Sequence, residues 1–98
     1  MSHHDLSDIA TQLPDAWRSI VLARIGETQL KVMRMDGSPY EEETHTYAEG
    51  LLVIDGQLNL LVSGEPVTVR SGELYVVPLG VAHAVVEGST GTLVILDV

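Results

Sequence analysis

From residue 19 onward the chain is cut into short apolar runs by turn-forming residues at near-regular intervals. Residues 19–25 and 28–35 read as strands joined at Gly26-Glu27, a plausible hairpin turn, and the loop Asp36-Gly37-Ser38-Pro39 follows. The run 51–54 is too short for a typical helix and ends at Asp55-Gly56, a strong turn dipeptide. Leu58, Leu60 and Val62 alternate after it, so a second hairpin is expected there. Ser63-Gly64-Glu65 and Ser71-Gly72 enclose a strand over 66–70, and runs at 74–77, 83–86 and 92–98 complete the series. Many short strands spaced in this way describe an all-β barrel or sandwich.

The start of the chain differs. Asp5 can cap a short helix in which Leu6, Ile9, Ala10 and Leu13 share one face, and Pro14 stops it. This helix is expected to pack on the outside of the β domain or on a partner. The chain therefore divides into an N-terminal helix and lead-in over 1–18 and one β-barrel domain over 19–98.

Ninety-eight residues lie near the lower end of what one hydrophobic core stabilises unaided. With no Phe and one Trp, that core must come from Val, Leu and Ile, which suit half-buried strands. The absence of Cys removes disulfides, thiolate catalysis and sulfur-ligated zinc, so any metal must sit on nitrogen and oxygen. A net charge of -9 argues against nucleic acid or an anionic membrane as partner, because both polyanions need a basic patch. No apolar run approaches membrane-spanning length and the acidic start is unlike a signal peptide, so a cytoplasmic location is expected.

Two spaced patterns carry the chemistry. Gly37, Glu43, His45, Glu49 and Gly56 read G-x5-E-x-H-x3-E-x6-G; Gly72, Pro78, Gly80 and His83 read G-x5-P-x-G-x2-H. They bring two imidazoles and two carboxylates into a stretch dominated by Val, Leu and Ile, where isolated charges are costly unless paired or metal-bound. These patterns resemble the paired motifs of the cupin superfamily, usually G-x5-H-x-H-x3 or x4-E-x6-G and G-x5-P-x-G-x2-H-x3-N. Every spacing is met, but Glu43 stands where the first His belongs and Glu87 where the closing Asn belongs. The resemblance implies a double-stranded β-helix, a small jelly-roll barrel, in which Glu43, His45, Glu49 and His83 face one divalent metal.

Residues two apart on a strand share a face, so Glu43 and His45 can reach one point while Thr44 points away. Fully extended, Glu49 would lie about 13 Å from His45, so Thr46-Tyr47-Ala48 must bend. His83 arrives from distant sequence after the turn Pro78-Leu79-Gly80. Two nitrogens and at least two oxygens fit a five- or six-coordinate ion with positions left for water or substrate. An oxygen-rich set favours manganese or iron, with nickel and zinc also compatible. Glu43 has a second reading as a rim acid in the solvated run Glu41-Glu42-Glu43, which leaves three ligands.

Other residues have plainer readings. Tyr40 and Tyr47 can line a pocket, Tyr47 being the candidate acid, whereas Tyr75 sits inside an apolar strand and belongs to the core. Arg24, Lys31, Arg34 and Arg70 are the cations available to an anionic substrate, but Lys31 and Arg34 differ in strand parity and should not both face inward. Trp17 is expected at the junction of helix and barrel, and His3 and His4 outside any site. Two functional classes remain: a metal-dependent enzyme such as a dioxygenase or isomerase acting on a small polar organic molecule, and a non-catalytic small-molecule-binding or sensor module without functional metal. A homodimer is expected in either case, because a small barrel leaves edges and apolar faces exposed.

Overall fold

The computed structural model describes residues 3–98; the first two residues of the 1–18 lead-in lie outside the described residues. One short helix, α1 (Leu6–Gln12), precedes eight strands: β1 (Ile20–Ile25), β2 (Thr28–Asp36), β3 (Tyr40–Glu43), β4 (Glu49–Val62), β5 (Glu65–Arg70), β6 (Leu74–Val77), β7 (His83–Val85) and β8 (Thr90–Asp97). All pairings are antiparallel, in the order β1-β2-β8-β4-β7-β3, with β5 and β6 also pairing with β4. The sheet curls into the barrel that the motif resemblance implies.

Helix α1 begins as its sequence predicts, with the Asp5 carboxylate accepting the Asp8 N–H at 3.1 Å. It ends beneath a cation. The Arg34 guanidinium donates to the carbonyls of Leu13, at 3.1 and 3.3 Å, and Pro14, at 3.3 Å, groups left without helical partners. The helix packs outside the barrel on β2 and β8, where Ala10, Val32 and Val94 are buried. Lys31, of opposite parity to Arg34, turns inward and ion-pairs with Asp97 at 2.9 Å. The parity argument for these two cations therefore holds.

The expected hairpin at Asp55-Gly56 is a correction. β4 runs unbroken through this dipeptide for 14 residues. Its first half lies between β6 and β8 and its second between β5 and β7. A β-bulge sits at the dipeptide, since Val53 pairs with Leu93 but Asp55 with Thr92. Glu49, Leu51 and Val53 are buried before the bulge and Leu58 and Leu60 after it, so the buried parity changes from odd to even. A bulge and a turn leave the same sequence signature, because each shifts the alternation by one residue.

Two glycines permit the bulge. Gly56 has φ of 83°, and a Cβ there would lie 1.9 Å from the Thr90 carbonyl oxygen; at its partner Gly91 a Cβ would lie 2.2 Å from that of Asp55. The Asp55 carboxylate accepts the Thr92 N–H at 3.1 Å and the Ser7 hydroxyl at 2.5 Å, tying the helix to the bulge. The Ser7 bond, with help from Thr92, holds the Asp55 carboxyl below its usual range. A lowered carboxylate pKa contributes stability above the unfolded value, about 4, and that stability is lost as pH falls through the folded value. Ser7→Ala should cost about 1–2 kcal/mol at neutral pH and flatten the acid limb of the stability curve. Urea titrations at pH 7 and pH 3 would test this, and a constant difference between them would exclude the linkage.

The core lies inside the barrel and is aliphatic. Met33, Met35, Leu51, Val53, Leu58, Leu60, Val69, Val77, Leu93 and Ile95 are its buried members, with Tyr75 packed against them. Its upper end opens into a cavity of about 230 Å³.

Candidate metal centre

The four motif residues meet at the polar end of this cavity. Glu43 closes β3 and Glu49 opens β4, while His45 stands on the loop between them. Glu43 and His45 therefore do not share a strand face as the i,i+2 argument expected, because β3 ends at Glu43. The bend expected at 46–48 is present at Thr46 and Tyr47 and returns the chain to Glu49. His83 begins β7, paired with Glu43 on one side and Val62 on the other. The two motifs also touch through the backbone, since the Gly80 N–H donates to the His45 carbonyl at 2.8 Å.

The His45 Nε2 lies 3.2 Å from Glu43 Oε2 and 3.8 Å from Glu49 Oε2, and His83 Nε2 lies 3.3 Å from Glu49 Oε1. One donor atom from each of Glu43, His45 and His83 falls within 4.8 Å of the other two, and Glu49 faces both imidazoles from beside this trio. Both rings are oriented by neighbours. His83 Nδ1 is 3.0 Å from the Val81 carbonyl, which needs a proton on Nδ1, so in the neutral ring Nε2 is the lone-pair nitrogen. The His45 ring stacks on Tyr47 with centroids 4.9 Å apart and planes 8° apart.

These residues fit a divalent ion. His45 Nε2 is buried and makes no well-formed hydrogen bond, but carboxylate oxygens of Glu43 and Glu49 lie 3.2 and 3.8 Å from it. A buried ring nitrogen facing two carboxylates is satisfied either by a proton shared with them or by a cation between them. Burial pushes the Glu49 carboxyl above the usual carboxylate range, against the opposing pull of His45 and His83. A cation at the convergence point would relieve that desolvation. Burial, reinforced by Asp97 and Glu49, likewise raises the Tyr47 phenol, keeping it a proton donor at neutral pH.

Asp97, which pairs with Lys31 on the cavity wall, was not among the residues expected at the site. Alternation held the signal for Asp97, which follows Leu93 and Ile95 at a spacing of two, so all three share the inward face of β8. Trp17 does sit between helix and barrel, yet its ring also borders the cavity. Tyr40 and Tyr47 line the cavity, and Tyr75 does not. His3 and His4 are exposed, away from the site. Among the described residues, no helix is long and apolar enough to cross a membrane.

Known proteins share this architecture. A cupin-2 domain protein from Shewanella frigidimarina superposes with a TM-score of 0.85 at 23% identity, covering 95% of this chain and 91% of that one. A protein from Neisseria meningitidis gives 0.84 at 23% identity, with 99% of each chain covered. A hydroquinone 1,2-dioxygenase, solved with Cd2+ and 4-hydroxybenzonitrile, gives 0.78 at 15% identity over 93% of this chain and 69% of that one. At these identities the likeness establishes the fold. No curated protein sequence matches significantly. The family profile described as cupin domain matches residues 31–98, a span that begins in β2 and takes in both motifs. With that match and the shared barrel, the chain belongs to the cupin family.

Proposed function

We propose that this cupin holds one divalent metal on Glu43, His45, Glu49 and His83 and presents it to a small polar organic molecule in the barrel cavity. The observation that carries the reading is the convergence of Glu43, His45 and His83 donor atoms within 4.8 Å of one another, with the buried His45 Nε2 between two carboxylates and opposite a second imidazole whose Nδ1 is already engaged. Two imidazoles and two carboxylates match manganese, iron, nickel or zinc, and the carboxylates balance the charge of the ion. When bound, the ion supplies Lewis acidity to a coordinated oxygen. The protein's own groups do the rest. Val81 orients His83, Tyr47 braces His45 and offers a phenolic proton to the cavity, and Met33, Leu58, Leu60 and Leu93 give the cavity an apolar wall.

One observation favours the metal-free alternative, a binding module without catalysis. Each imidazole already lies within 3.3 Å of a carboxylate, so protonated histidines would neutralise the cluster unaided. Plasma mass spectrometry on untagged protein separates the two readings. About one manganese, iron, nickel or zinc per chain is expected, and near zero after reconstitution would leave the binding module.

The reading includes a homodimer. Ile20, Val21 and Ile25 are exposed on β1, which lies at an end of the strand order and pairs with β2, and Leu74 and Val76 are exposed on β6. Unpaired strand edges and apolar residues of this kind are commonly covered by a second copy. Light scattering should give twice the chain mass at micromolar concentration, and a monomer there would remove the dimer from the proposal.

A further inference from the structure

We infer that the cavity receives a molecule with a planar aromatic ring, packed on Trp17 and Tyr40 with its polar substituent toward Glu43, His45 and His83. The inference rests on reading the cavity as the ligand site. It starts from where this chain places its few rings. There is no Phe, one Trp and three Tyr, and three of these four rings, Trp17, Tyr40 and Tyr47, border the one cavity. The fully buried core is Met, Leu, Val and Ile, and of the three cavity rings only Trp17 packs against it.

Trp17 is the most constrained of the three. Its φ of 63° lies in the left-handed region, a genuine outlier for a bulky side chain. Such a conformation persists only where the surroundings over-determine it, and these cases gather at ligand clamps and active sites. Here the restraints are explicit. The Trp17 backbone N–H donates to the Arg34 carbonyl at 2.9 Å, and the indole N–H faces Asp36 Oδ1 at 2.7 Å and the Ser38 hydroxyl at 2.9 Å. Any apolar side chain in a relaxed conformation would cover the helix–barrel junction. This one is pinned at backbone and ring, on the cavity wall.

Tyr40 completes the surface. Its ring centroid is 5.9 Å from that of Trp17, with the planes inclined by 37°. Tyr40 and Glu43 pair with Val85 and His83, two residues apart on β7, so the irregularity in β3 between them leaves about 7 Å along the strand. A single substituted ring is of that length, reaching from the aromatic wall to the carboxylate–imidazole cluster.

Aromatic walls beside carboxylates also recognise organic cations, and charge decides between the two. In the proposed site a divalent ion would offset Glu43 and Glu49, and Lys31 already pairs with Asp97 at 2.9 Å. Among the described residues, exposed Glu41 is then the only carboxylate lining the cavity without an opposite charge, too little to favour a cation over a neutral ring.

The single Trp makes the test direct, because its indole N–H gives one side-chain signal in a 1H–15N correlation spectrum. Zinc-incubated full-length protein is titrated with phenol, with cyclohexanol as a saturated ring of similar size, and with tetramethylammonium. Phenol should shift the Trp17 indole signal and bind at least tenfold more tightly than cyclohexanol. Tyr40→Leu and Trp17→Leu should each weaken phenol at least fivefold and leave cyclohexanol unchanged; Tyr40 is exposed enough for its variant to fold should the Trp17 variant fail. Equal binding of phenol and cyclohexanol, tighter binding of tetramethylammonium, or unchanged phenol affinity in Tyr40→Leu would each overturn the inference. Zinc content, measured on the same samples, separates the two readings. Phenol preference without zinc upholds the ring site and removes the metal, whereas one zinc per chain without phenol preference removes the ring site alone.

Discussion

Gly56→Ala should leave little folded protein. The added methyl would sit 1.9 Å from the Thr90 carbonyl oxygen and 2.7 Å from its carbon, both backbone atoms that cannot rotate away, at a residue whose φ of 83° already disfavours any side chain. Relief requires β4 and β8 to part where β4 passes from one half of the barrel to the other. The cost should be about 4 kcal/mol or more, the exceptional range for one substitution, against a total of about 5–15 kcal/mol for an ordinary domain. Gly64→Ala is the control. It has nearly the same φ, 82°, in the β4–β5 turn, but nothing lies within 4 Å of its would-be Cβ. That variant should lose only the conformational term, about 1–2 kcal/mol. Far-ultraviolet circular dichroism with urea denaturation would compare them, and equal losses would mean that the close approach at the bulge is not what makes Gly56 necessary.

His83→Ala should abolish metal loading and, with it, metal-linked stability. The substitution removes the nitrogen whose partner atom is held by Val81 and leaves Glu49 Oε1 facing a gap. A ligand that binds only the folded state at a hundred times its Kd adds about 2.7 kcal/mol, worth roughly 10–20 °C in Tm for a domain of this size. Wild-type protein should show that rise on metal addition, and His83→Ala should show none, with metal content below about a tenth of an ion per chain. Glu49→Gln, which preserves shape while removing a charge, should lower both quantities less severely. Unchanged metal loading in both variants would show that the ligands lie elsewhere.

How far these features were legible from residue order depends on how local their causes are. The cap at Asp5, the turns at Gly26-Glu27 and Ser63-Gly64, and the strands β2, β5 and β6 arise from neighbouring residues and appear within a residue of the expected runs. β3 was not separated from the motif around it, because Tyr40-Glu41-Glu42-Glu43 has no apolar alternation. Asp55-Gly56 has the composition of a turn, and only its pairing with Thr92 and Gly91, more than thirty residues away, makes it a bulge in one long strand. His45 reached the site from a loop, through a bend and a bond from Gly80, where sequence reasoning had placed it on a strand.

The resemblance of the two motifs to those of the cupin family therefore implied the family, the barrel class and the four residues that converge, while the helix cap, the hairpin turns and the strand-like runs were legible directly, because they are short-range properties of the backbone. Tertiary structure alone decided that Lys31 and Asp97 meet inside the barrel, that Trp17 is strained onto the cavity wall, and that His45 Nε2 is buried between two carboxylates. Each of these depends on which distant strands pair and in what register, and that choice is made by the whole core closing at once.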